Sequence, residues 1–172
     1  MELFESKESR KEELGFLLLN SSLNTRYFNS NSQFQFGAQS RDYGFQPKTK
    51  KEFIEWYESF IKICIDLSMS NGKRVSKARS ILANNLRGLI TEGNMLNFLE
   101  PYIKNIHDMH EWNEGWLALK SILRFDKDQL SNKDLNKLSS LELFIKPKDL
   151  INKVRTYVLT DQRYGHFDIV ED

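Results

Sequence analysis

The stretch Trp112–Phe125, WNEGWLALKSILRF, decides the fold. Trp116, Leu119, Ile122 and Leu123 recur at three- and four-residue steps, the spacing that gathers apolar side chains on one face of a helix. Asn113 is placed to cap its start. Trp112 before that cap and Leu117 four residues after it fit a hydrophobic staple. Two tryptophans on one short helix, with amphipathic segments on both sides in sequence, make a natural centre for an all-α core. The stretch is a packing element and carries no obvious chemistry.

The same signals repeat outward. Thr49-Lys50-Lys51-Glu52 forms a capping box, and Phe53, Trp56, Tyr57, Phe60, Ile61, Cys64 and Leu67 follow at helical steps until Ser70-Asn71-Gly72. A second helix, about 74–90, carries Val75, Ala78, Ile81, Leu82, Leu86 and Leu89 and is closed by Gly93. Asn94 is read as the cap of a third, with Met95, Phe98, Leu99, Tyr102, Ile103 and Ile106 inward. Pro101 either kinks that helix or restarts it. Beyond the tryptophan helix, Ser131-Asn132-Lys133-Asp134 signals a short helix bearing Leu135 and Leu138. Pro147 opens a last one bearing Leu150, Ile151, Val154, Tyr157 and Val158.

The N-terminal part reads differently. Residues 1–22 form a helix in which Leu14, Phe16, Leu17, Leu18 and Leu19 follow a charged start. Residues 23–48 are rich in Asn, Ser and Gln, with Tyr27, Phe28, Phe34, Phe36, Tyr43 and Phe45 interleaved, and Gly37, Gly44 and Pro47 deny them a helical period. That length is unusual for a loop in a compact domain, and the aromatics imply that it packs onto the helices. The expected architecture is a single all-α domain over 1–172: N-terminal helix 1–22, aromatic loop 23–48, helical core 49–160 and tail 161–172. Its six or seven helices form an irregular bundle or a short HEAT-like helical array, because helix starts fall roughly every 20 residues.

Composition bounds the function classes. With 172 residues, 40% hydrophobic and 12% aromatic, the chain is able to bury a core. A net charge of +1 argues for no particular partner. One cysteine excludes an internal disulfide framework. The start is charged and lacks the apolar region of a secretory signal, and the longest apolar run, LGFLLL, is far too short to span a membrane. A cytoplasmic protein without a membrane partner is expected.

His107 and His110 sit at i and i+3 with Glu100, Glu111 and Glu114 nearby, the sequence's most metal-like cluster. It also lies where a helix should end, a place that favours histidine against the helix dipole. Lys73, Arg74, Lys77, Arg79 and Arg87 fall in Leu67–Thr91, a stretch with no acidic residue, and a one-sided basic helix there would track phosphates or an acidic partner. Arg41, Tyr43 and Lys48 form a loop cluster of the kind binding sites use. Cys64 falls on an apolar stripe and reads as a buried, inert thiol. No glycine-rich phosphate loop, GxSxG or nucleophile–base pair is present, so neither catalysis nor a cofactor is expected.

Three motifs in order, Tyr43-Gly44-x-x-Pro47-Lys48-Thr49, Leu86-Arg87-Gly88-Leu89 and Trp112-x-Glu114-Gly115-Trp116, carry a resemblance. From about Arg41 to Leu159 the chain resembles an α-helical region towards the C-terminus of large bacterial STAND-type NTPases and SIR2-linked proteins implicated in anti-phage defence. The resemblance implies a scaffold or sensor segment, in which a helical array recognises a foreign protein while an NTPase module and an effector sit elsewhere. The chain shows neither a P-loop lysine nor an NAD-binding glycine motif, so no catalytic residue is carried over, and a fragment or a stand-alone relative is expected. The function expected is therefore a non-catalytic protein-interaction domain, with Arg41, Tyr43, Lys48, Lys73, Lys77 and Arg87 as candidate binding residues and a protein as the partner. The alternative is a small metal-assisted or nucleic-acid-processing domain using His107, His110 and the basic face.

Overall fold

A computed structural model describes residues 2–5, 8–25, 47–70, 72–149 and 153–154. Among them every regular element is helical: α1 Glu2–Glu5, α2 Ser9–Ser22, α3 Lys50–Met69, α4 Lys73–Thr91, α5 Leu96–Met109, α6 Asn113–Phe125 and α7 Asn132–Ile145, with a 3-10 turn at Lys127–Gln129. The fold is all-α, as the periodicity requires. Most of the expected loop, residues 27–45 included, the whole tail and most of the expected last helix lie outside the described residues; of that helix only residues 147–149, which are not helical, and Lys153 and Val154 are described.

Several helix ends follow the sequence signals closely. Thr49 accepts a hydrogen bond from the Glu52 N–H at 3.1 Å, and the Glu52 carboxylate accepts one from the Lys48 N–H at 2.7 Å. The reciprocal half of the box thus reaches one residue beyond the cap. Ser131 likewise accepts from the Asp134 N–H at 3.2 Å, and the helix it opens runs on to Ile145, adding Leu141 and Ile145 to the core.

Other ends correct the sequence reading. Asn113 is the first residue of α6, and Trp112 occupies the cap position without a side-chain hydrogen bond. Burial of the indole sets this start. Trp112 is fully buried, and a Cβ on Gly115 would overlap its ring, so the glycine lets the ring lie across the first turn. Asn94 ends α4 and does not cap α5. It adopts the left-handed conformation with φ 54°, which lets the Met95 N–H reach back to the Leu89 carbonyl at 2.9 Å. A Cβ on Gly93 would lie 2.8 Å from the same carbonyl oxygen, which makes glycine the residue that fits. Helix α5 runs through Pro101 without restarting. Residues 1–22 are two helices, because Glu8 is extended between α1 and α2.

The core is continuous, from Phe16 and Leu19 on α2 to Leu138, Leu141 and Ile145 on α7, with Trp112 and Trp116 among its largest fully buried side chains. Helix α6 is apolar over most of its circumference: Trp116, Leu117, Ala118, Leu119 and Ile122 are all buried, which is how a central helix reads. The helices sort by packing. Helix α4 lies between α2 and α6, α5 lies between α3 and α7, and α3 and α7 join the two rows by packing on α4 and α6.

Direction follows from which side chains meet. Within a row, Glu12 meets Arg74 and Asn20 meets Asn85, Arg87 meets Asp126, and Asn97 meets Lys137 while His107 meets Phe144. In each row, neighbours run the same way. Between rows, the Cys64 thiol donates to the Ala78 carbonyl across the tight α3–α4 turn, and Trp116 donates to Glu142, so those neighbours are antiparallel.

Candidate functional site

The basic stretch of α4 is where structure and sequence reading differ most in meaning. Arg74 binds one oxygen of Glu12 through Nε at 3.0 Å and Nη2 at 2.8 Å, tying α4 to α2. Arg79 is buried and donates from Nε and Nη2 to the Ser68 carbonyl at 3.2 and 3.1 Å. Ser68 is in the last turn of α3, where carbonyls lack helical partners, so the guanidinium closes that end and opposes its dipole. Burial holds the Arg79 pKa below its ordinary value, and the charge of Glu114 partly offsets this. Arg87 pairs with Asp126: Nη2 donates to Oδ1 at 2.7 Å, and Nε lies 2.7 Å from Oδ2 as an ion-pair contact, without the angle of a hydrogen bond. The Asp126 side chain is 4% exposed, and its hydrogen bond raises the Arg87 pKa.

The three arginines therefore hold helices together. Lys73 and Lys77 are exposed, and the Lys77 ammonium stands 4.9 Å from the centre of the Phe16 ring, a cation–π distance. Lys48 lines an open cleft of about 380 Å³ between the start of α3 and the end of α4, floored by Phe53 and Ile54 and edged by Glu92 and Asn94. Arg41 and Tyr43 lie outside the described residues. Of the six candidate binding residues, Lys73, Lys77 and Arg87 share α4, and Lys48 is at the other hairpin partner's start.

The two histidines part company. His107 is half-buried with its ring edge-on to Phe144, centroids 5.8 Å apart, and its Nδ1 is buried without a hydrogen-bond partner among the described residues. His110 is extended, past the end of α5, and exposed. Among the described residues no group of three or more His, Cys, Asp or Glu side chains is placed to hold a metal ion.

Two buried titratable groups, Cys64 and Tyr57, are held in their neutral forms. The Cys64 thiol is fully buried, and desolvation pushes its pKa up to about 12. Tyr57, also fully buried, is raised to about 12 by burial and by the Glu92 charge, and its hydroxyl donates to the Asn24 carbonyl at 3.2 Å. Glu100 is pulled below the usual carboxylate range by its hydrogen bond to Lys104 and by Lys137. Each of these groups faces a structural neighbour.

The feature that sequence reading missed is on α2. Phe16 and Leu19 point into the core, whereas Leu14, Leu17 and Leu18 are 48%, 61% and 51% exposed. They form a stripe at i, i+3 and i+4 on the side of the helix away from the core. The signal was present in LGFLLL. A helix with leucine or phenylalanine at 14, 16, 17, 18 and 19 has two apolar faces, and neighbours packed on one side bury only one of them.

No protein-family model, curated protein or solved structure matches the chain. Among the described residues, no helix is long and apolar enough to cross a membrane.

Proposed function

We propose that this chain is a non-catalytic helical interaction domain, a scaffold or sensor segment whose partner is a protein. The observation that carries the reading is the exposed leucine stripe of α2, Leu14, Leu17 and Leu18. Contiguous exposed apolar side chains on a packed helix cost solvation and aggregation resistance, and they mark surfaces that other proteins cover. The engagement of Arg74, Arg79 and Arg87 within the fold moves weight from the basic face of α4 to this stripe. The resemblance to helical regions of anti-phage proteins supports a place in bacterial defence, with the cytoplasm as its compartment and a succession of helical hairpins as its scaffold.

The test is affinity capture with the intact chain from its host, with and without phage challenge, against a Leu14→Glu/Leu17→Glu variant. Both positions are about half exposed or more, so the variant is expected to keep its helical circular dichroism and melting temperature. Proteins recovered by the wild type and lost with the variant support the reading. The same set recovered by both folded proteins, or nothing by either, refutes it.

A further inference from the structure

We draw no further inference here: the strongest candidate, the open cleft edged by Lys48, Glu92 and Asn94 where α3 starts and α4 ends, has its Glu92 carboxylate bonded to Thr25 and its helix start capped by Thr49, and nothing in the structure shows what covers its Phe53–Ile54 floor.

Discussion

Replacing Arg87 by alanine separates a surface cation from a structural one. The Asp126 carboxylate is 4% exposed, whereas the Arg87 side chain is 47% exposed. Asp126 also stands at the C-terminal end of α6, where the helix dipole disfavours a negative charge. Removing Arg87 leaves that carboxylate buried without its hydrogen-bonded counter-charge. Breaking a fully buried pair costs about 3–5 kcal/mol, and the solvent reaching Arg87 reduces this to about 2 kcal/mol. In a chain of this size that is a fall of roughly 4–8 °C in melting temperature.

Asp126→Ala removes the buried charge together with the pair, so it should cost less, about 1 kcal/mol, and Arg87→Ala added to it should cost little more. The assay is urea unfolding followed by tryptophan fluorescence, since Trp112 and Trp116 report on the α6 core. A shift in midpoint at constant slope is the stability change. Single variants that add in the double, or Arg87→Ala within about 0.5 kcal/mol of wild type, would refute the structural role and return Arg87 to the list of free surface cations.

The two faces of α2 should respond oppositely to truncation: Leu19→Ala, at 3% exposure, is expected to cost about 3 kcal/mol and Leu17→Ala, at 61%, less than about 0.5, measured by thermal melts. Gly115→Ala should destabilise by about 2 kcal/mol despite alanine's better helix propensity, because the new Cβ displaces the Trp112 ring; a stabilised variant in urea unfolding would show that the ring yields freely. Cys64, with its pKa pushed to about 12, should be inert to a thiol reagent at pH 8 in the native state and react fully in denaturant; rapid native labelling would contradict its burial. The Glu100 pKa is lower folded than unfolded, so its stabilisation is present above the ordinary carboxylate range and fades as pH falls through the folded value. Glu100→Gln should therefore be less stable than wild type at pH 7 and converge with it in acid, and a gap that persists at low pH would point to packing.

Much of the fold was legible because caps and apolar steps are local. The Thr49 and Ser131 caps involve residues three apart, and the stripes of α3, α4 and α5 bury most of the side chains their spacing selects and half-bury the rest, Phe53, Trp56, Phe60, Val75, Phe98 and Tyr102 among them. Where local signals failed, a tertiary need had overridden them. Asn113 lost the cap to Trp112 because burying an indole outweighs one side-chain cap, and Asn94 was used for its left-handed backbone.

The candidate site was less legible for a different reason. A basic stripe and an apolar run are properties of one helix, but their meaning depends on what lies opposite. Arg74 finds Glu12 at a separation of 62 residues and Arg87 finds Asp126 at 39, and nothing in the spacing announces either pairing.

By itself, then, the sequence determined an all-α chain, the approximate extent of its main helices and the faces able to enter a core, because helical period and capping act within a few residues. Only the tertiary structure decided which of those faces was buried. It sent Phe16 and Leu19 inward and left Leu14, Leu17 and Leu18 outside, because among the described residues α2 meets its neighbours through its core side. It also turned three arginines from a candidate binding face into struts, because charges are paired by position in space and not by order along the chain.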